Sequence, residues 1–119
     1  MKIPGPDHPI TIAPNSKRVR VTFAAQVVAD TAHALVLKEA GYKPVFYIPR
    51  ADADMSLLKA TDHHTHCPYK GDASYFTIHA GDRNAENAVW SYEHPFPEMA
   101  EIKGHLAFYP TRVDAIEEI

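Results

Sequence analysis

Prolines and glycines recur along the whole chain, and they constrain its fold more than any other feature. Ten prolines and five glycines are spread over 119 residues. Proline ends or kinks a helix and glycine favours turns, so the sequence leaves room for short strands rather than long helices. The length suits one domain, and a hydrophobic content of 45% is enough for one core. We therefore predict a single, mainly β domain.

Alternation of polar and apolar residues is clearest between Arg18 and Phe23. Val19, Val21 and Phe23 would share one face, which is typical of a half-buried strand. Residues 26–31 and 34–40 flank a short polar turn and predict a hairpin. Further short strands are predicted at 44–48, 62–67, 73–79, 87–93, 102–109 and 113–116.

The domain organisation follows from these segments. Residues 1–17 are rich in proline and predict an extended arm with at most a short strand near 10–13. Residues 18–119 predict one small antiparallel barrel or sandwich of about eight to nine short strands. The one predicted helix is short, near 54–60, and either Asp52 or Asp54 would cap its first amides.

Charge and cysteine content exclude several classes of partner and location. The formal net charge is −3 and the basic residues are scattered, which disfavours nucleic-acid binding. The single cysteine cannot form an internal disulfide, and the first residues contain no apolar run typical of a signal peptide or membrane span. We expect a cytoplasmic protein without a membrane partner.

The run from Thr65 to Tyr75, THCPYKGDASY, carries a family resemblance. It resembles the signature T-x-C-P-x-K-G-x-A-x-Y of the family catalogued as domain of unknown function 427. The resemblance extends over roughly 19–113, through segments at 47–52, 55–58, 87–93, 102–109 and 113–114. It implies a one-domain β fold and brings with it the family's label, nucleotidyltransferase-like.

Nucleotidyl transfer usually needs paired carboxylates for Mg²⁺ and a loop that holds phosphates. Asp52 and Asp54 are two residues apart and would face the same side of an extended chain. No glycine-rich phosphate loop accompanies them, and the start of a helix explains both aspartates equally well.

Cys67 and Lys70 form the candidate catalytic pair. They flank a tight turn that can bring the ammonium close to the sulfur, and an adjacent cation favours the nucleophilic thiolate. The alternative is a structural one, in which Cys67 is a small buried residue and Lys70 a solvated turn residue.

His64 and His66 lie two residues apart in a predicted strand, so both imidazoles could face one metal ion. The third ligand would have to come from elsewhere in the chain. The candidates are His33, His79, His94 and His105. The alternative is a set of solvent-facing or hydrogen-bonded histidines.

The candidate ligand-binding residues are Arg50, Thr65, Tyr75, Trp90 and Tyr92. Arg50 follows an apolar strand, and its guanidinium suits a carboxylate or phosphate, although an ion pair with Asp52 or Asp62 is the alternative. The aromatic residues combine an apolar body with a polar tip and would line a pocket, or else belong to the core.

These residues lead to three hypotheses. The first is an enzyme or binding domain for a small anionic molecule, in a pocket around Arg50, Cys67 and Lys70. The second is a non-catalytic interaction module, in which an open edge strand pairs with a partner or with a second copy of the chain. The third is a histidine metal site. No residue pattern specifies a cofactor.

Overall fold

The computed structural model describes residues 1–119 and confirms a mainly β fold. Every strand pairing is antiparallel, and the sheets form a sandwich-like arrangement rather than a closed barrel. The ten strands are β1 (Ile10–Pro14), β2 (Val19–Phe23), β3 (Gln26–Thr31), β4 (Leu35–Glu39), β5 (Val45–Tyr47), β6 (Leu58–Cys67), β7 (Gly71–Ala80), β8 (Arg83–Ser91), β9 (Ala107–Phe108) and β10 (Ala115–Glu118). Three short 3₁₀ helices span Arg50–Asp52, Met55–Leu57 and Pro97–Ile102. None of these helices is long enough to cross a membrane.

The strands form three sheets, and two of them join into one layer. The sheets have the orders β10-β2-β3, β1-β4-β5 and β6-β7-β8-β9. Ile48, just after β5, pairs with Leu106, just before β9, through two backbone hydrogen bonds of 2.8 Å. This bridge connects the second and third sheets into a layer of order β1-β4-β5-β9-β8-β7-β6.

The strand predicted from the alternation after Arg18 is confirmed as β2. Val19, Val21 and Phe23 are buried, and the residues between them are half-buried. The hairpin between β2 and β3 turns through Ala24 and Ala25, whose φ angles are 52° and 60°. Positive φ at both central residues matches the right-handed twist of paired strands, which is why such turns connect hairpins.

The hairpin predicted between residues 26–31 and 34–40 is wrong, although both strands exist. β3 pairs with β2, whereas β4 pairs with β1 and β5 in another sheet. The buried hydroxyl of Thr31 donates to Asp52 Oδ2 at 2.7 Å and accepts from the amide of His33 at 2.9 Å. These bonds hold the chain where it leaves one sheet for the next.

The helix predicted near 54–60 is limited to the single 3₁₀ turn Met55–Leu57. Asp54 does cap this turn, because its carboxylate accepts hydrogen bonds from the amide and hydroxyl of Ser56. Leu58 already pairs with Ile78 of β7, so ladder hydrogen bonds replace further helical ones. The strand predicted at 102–109 is likewise short, with only Ala107–Phe108 in β9.

The layer separates two apolar clusters. Successive side chains of a strand point to opposite faces, and in β7 Phe76 and Ile78 enter the main core while Ala73 and Tyr75 enter the second cluster. The main core lies between the layer and the β10-β2-β3 sheet. The second cluster therefore lies on the face of the layer that this sheet does not cover.

The first 17 residues do not stand apart from the sheets. β1 pairs along its whole length with β4, from Ile10 opposite Glu39 to Pro14 opposite Leu35. Nearer the N-terminus, the amide of Lys2 donates to the carbonyl of Pro68 at 2.7 Å. This contact ties the arm to the turn between β6 and β7, beside the second cluster.

Candidate functional site

The second apolar cluster opens to solvent as a cleft of about 640 Å³, which we call the aromatic cleft. All six tyrosines of the chain and its only tryptophan line it. These aromatic residues are Tyr42, Tyr47, Tyr69, Tyr75, Trp90, Tyr92 and Tyr109. The polar or charged residues of its wall are His8, Glu39, Lys43, His66, Cys67 and Lys70.

The turn between β6 and β7 places Cys67 and Lys70 in this cleft. Cys67 ends β6, and Gly71 begins β7 with a φ of 110°, a conformation that side chains with a Cβ rarely adopt. The carbonyl of Lys70 accepts a hydrogen bond of 2.9 Å from the amide of Phe96, which holds the turn against the following loop. Lys70 is consequently directed inward and is only 6% exposed.

The Lys70 ammonium is paired within the cleft rather than solvated. It donates to Glu39 Oε1 and lies 3.8 Å from Cys67 Sγ. The second oxygen of the carboxylate, Glu39 Oε2, lies 2.7 Å from His8 Nε2. Burial by itself would raise the pKa of Glu39, but the hydrogen bonds from Lys70 and His8 outweigh it and lower that pKa below its ordinary value.

The N-terminal arm forms one wall of the aromatic cleft. The imidazole of His8 stacks on Tyr69, with ring centroids 4.1 Å apart and planes 7° apart. The ammonium of Lys2 lies 5.9 Å from the centroid of the same tyrosine. Both contacts hold the arm over the turn that carries Lys70.

The tyrosine hydroxyls form short hydrogen-bonded groups across the cleft. Tyr75 bonds Thr65 at 2.9 Å and Tyr109 at 3.3 Å, while the indole of Trp90 donates to Tyr47 at 3.3 Å. Burial raises the pKa of Tyr47, and burial together with the Tyr75 hydrogen bond raises the pKa of Tyr109 to about 12. These phenols stay protonated and act as neutral hydrogen-bonding groups at physiological pH.

Tyr92 differs from the other buried tyrosines because its hydroxyl has no partner within the chain. The residue is only 7% exposed, yet no fully buried polar side-chain atom lacks a hydrogen bond. The hydroxyl must therefore reach the open space of the cleft, where burial of the ring raises its pKa. It is a donor available to a bound molecule.

Most of the residues singled out from the sequence meet in this cleft. Cys67, Lys70, Tyr75, Trp90 and Tyr92 line it. Thr65 is exposed and contacts the cleft through the hydroxyl of Tyr75.

Arg50 lies outside the aromatic cleft. Its guanidinium pairs with Glu93 at 2.6 Å, donates to Ser91 and to the carbonyl of Gly104, and packs over Phe76. The structure therefore does not bring Arg50 to Cys67 and Lys70, and the acidic partner of the arginine is Glu93 rather than Asp52 or Asp62.

Three of the residues considered for metal binding have other partners. Asp52 accepts from Thr31, Asp54 accepts from Ser56, and His66 Nδ1 lies 2.7 Å from Asp72 Oδ1. No group of three or more histidine, cysteine or acidic side chains is arranged to hold a metal ion. His64 and His66 thus have no third ligand in this structure.

Sequence reasoning missed Glu39, His8, Tyr47 and Tyr109. A signal for Glu39 was present, because it follows Leu35 and Leu37 at alternate positions and so extends an apolar strand face with a carboxylate. A charge at such a position needs a buried partner. No comparable pattern marks His8, which reaches the cleft only because the arm folds back.

Comparison with protein families gives a match to the domain of unknown function DUF427, whose model is labelled NTP_transf_9, over residues 11–119. Comparison with curated proteins gives no match. The family match includes the Cys67–Lys70 turn and every strand from β2 to β10, in agreement with the resemblance seen in the sequence. The chain belongs to the DUF427 family.

Proposed function

We propose that the chain binds a small organic anion with a planar, unsaturated ring in the aromatic cleft. The observation that carries this proposal is the gathering of all six tyrosines, the only tryptophan and a buried lysine around one opening. Scattered aromatic residues would be expected if they served only the core. Their concentration at an open cleft favours recognition of a ring.

The size of the cleft and its mixed lining support a small molecule as the ligand. Binding sites for such molecules are typically clefts of roughly 300–1,000 Å³ with apolar walls and a few placed polar groups. The aromatic cleft has a volume of about 640 Å³, and its polar groups are concentrated near Glu39, Cys67 and Lys70. The Tyr92 hydroxyl adds a free donor.

The balance of charge at the cleft favours an anion. Lys43 and Lys70 contribute two positive charges and Glu39 one negative charge. An ammonium has three donors, and Lys70 uses one of them on Glu39 and directs another towards the weakly accepting Cys67 sulfur. The third donor remains for a carboxylate or phosphate.

Paired anionic and neutral ring compounds test this function. We expect benzoate to bind roughly tenfold or more tightly than benzamide, because a hydrogen bond to a charged group stabilises by about 1.5–3 kcal/mol. Uridine monophosphate against uridine makes the same comparison with a pyrimidine ring and a phosphate. Trp90 is the only tryptophan and lies in the cleft, so its fluorescence reports binding directly.

Lys70→Met should reduce the ratio of benzoate affinity to benzamide affinity to about one, whereas Lys59→Met should leave this ratio unchanged. Lys59 is an exposed lysine of β6 that lies outside the aromatic cleft, and it is a matched control for lost positive charge. A preference that survives in Lys70→Met would refute the proposed role of this ammonium. Absence of binding for both ring anions would refute the function.

The 3.8 Å contact between Lys70 Nζ and Cys67 Sγ favours a second function, in which Cys67 is the nucleophile of an enzyme acting on the bound molecule. Cys67 is half-buried and lines the cleft, so a reagent can reach it. A neighbouring cation stabilises the attacking thiolate.

We expect iodoacetamide to alkylate Cys67 several-fold more slowly at neutral pH in Lys70→Met than in the parent chain. The lost ammonium no longer stabilises the thiolate. Labelling is followed by mass spectrometry, with Lys59→Met as the charge control and Cys67→Ser as the blank. Equal alkylation rates in the parent chain and Lys70→Met would show that Lys70 does not activate the thiol of Cys67.

A further inference from the structure

A second hollow lies beside the aromatic cleft, between the layer and the β10-β2-β3 sheet. It has a volume of about 240 Å³, and seven of its nine lining residues are hydrophobic. Val21 and Ile116 contribute from the β10-β2-β3 sheet, while Phe46, Ile48 and Phe108 contribute from the joined layer. We call it the apolar hollow.

The two spaces share a wall. Trp90, Val45, Pro44 and Pro110 line both the aromatic cleft and the apolar hollow. Pro44 directly precedes β5, and Pro110 follows β9 by two residues, so the shared wall lies where these two neighbouring strands meet the loops. A molecule bound against Trp90 in the cleft is thus adjacent to the hollow.

The lining of the apolar hollow contains no charged side chain. Its volume is several times the roughly 30 Å³ that a water molecule occupies in the liquid, and apolar cavities of this kind favour hydrocarbon over water. The charged side chains Glu39, Lys43 and Lys70 are instead all on the cleft side of the wall. The two spaces together therefore have charged side chains at one end and none at the other.

We propose that the ligand is amphipathic, with an anionic ring in the aromatic cleft and an alkyl chain that extends past Trp90 into the apolar hollow. This inference rests on the function proposed above and specifies the class of ligand. The anionic group is held at Lys70, the ring contacts the tyrosines, and the alkyl chain contacts Phe46, Phe108 and Ile116.

A series of 4-alkylbenzoates from benzoate to 4-hexylbenzoate tests this arrangement. Each methylene transferred from water to an apolar site contributes about 0.8 kcal/mol, so affinity should rise roughly three- to fourfold per methylene until the hollow is full. Binding is measured by Trp90 fluorescence and by calorimetry. If benzoate binds but the affinity does not rise with the length of the alkyl chain, the amphipathic ligand is overturned and the proposed function remains intact.

Variants of Ile116 locate the alkyl chain. Ile116 is half-buried on β10 and lines the hollow but not the cleft. Ile116→Phe adds volume and should abolish the gain per methylene without changing the affinity for benzoate. If Ile116→Phe fails to fold, Ile116→Ala enlarges the hollow and should shift the plateau of affinity to a longer chain. If the affinity depends on alkyl-chain length in the folded variant just as it does in the parent chain, the proposal is overturned.

Failure of benzoate to bind would count against the proposed function rather than against the hollow. In that case 1-hexanol, an alkyl chain without charge or ring, tests the hollow directly. A rise in melting temperature that is present in the parent chain and absent in Ile116→Phe supports an alkyl site. No rise in the parent chain overturns it.

Discussion

Glu39→Ala is expected to lower the free energy of unfolding by about 3–5 kcal/mol, because it leaves the buried ammonium of Lys70 without its carboxylate. The side chains of Lys70 and Glu39 are only 8% and 16% exposed, so water from the cleft replaces the lost partner only in part. The remaining contact of Lys70, to the sulfur of Cys67 at 3.8 Å, is weak. Urea denaturation followed by Trp90 fluorescence measures the change.

Two further variants separate the ion pair from other effects of substitution. Lys70→Met should cost less than Glu39→Ala, because Glu39 keeps His8 as a partner and is the more exposed of the two. The double variant Glu39→Leu with Lys70→Met should recover much of the loss, since apolar residues of similar volume often replace buried pairs well. A cost below about 1 kcal/mol for Glu39→Ala would show that the pair behaves like an exposed one.

The ionisation of Glu39 also makes the free energy of unfolding depend on pH. The pKa of Glu39 is lowered in the folded chain from an ordinary value of 4.5. Its ionisation therefore stabilises the fold fully above pH 4.5, and this contribution is lost as the pH falls through the lowered value. Glu39→Gln should make the unfolding free energy less dependent on pH in this acidic range than it is in the parent chain.

Local patterns in the sequence were sufficient to predict most strands, but not which strands pair. The alternation in β2 depends only on neighbouring residues, and the structure confirms it. The wrongly predicted hairpin of residues 26–31 and 34–40 had two suitable strands and a polar turn. In the structure β3 instead pairs with β2, to which it is connected by the turn at Ala24 and Ala25. Alanine carries no marked preference for that left-handed turn, so the pairing was not visible locally.

The candidate site was partly predictable for a similar reason. Cys67 and Lys70 flank one tight turn, so their proximity is a local property of the chain. Glu39 lies 31 residues from Lys70, and their contact depends on β4 and β7 forming parts of one layer. Arg50 was placed with them by charge and sequence order, but the 3₁₀ turn at Arg50–Asp52 directs it to Glu93.

Leu106→Ala is expected to lower the free energy of unfolding by about 2–5 kcal/mol, the usual cost of truncating a fully buried leucine. Leu106 is 0% exposed and belongs to the main core. It also pairs with Ile48 at the bridge between the β1-β4-β5 and β6-β7-β8-β9 sheets, where the backbone pairing consists of this one residue pair. A cavity at this point weakens the junction on which the wall of the aromatic cleft depends.

Leu106→Met is the matched control, and it should cost less than about 1.5 kcal/mol because it conserves volume. Both variants keep the two backbone hydrogen bonds to Ile48, so a difference between them reports side-chain packing alone. Chemical denaturation gives the two free energies, and benzoate titration of folded Leu106→Ala tests whether the loosened junction weakens the cleft. Equal, small costs for both variants would mean that the core relaxes around the missing atoms and that the bridge depends on its hydrogen bonds.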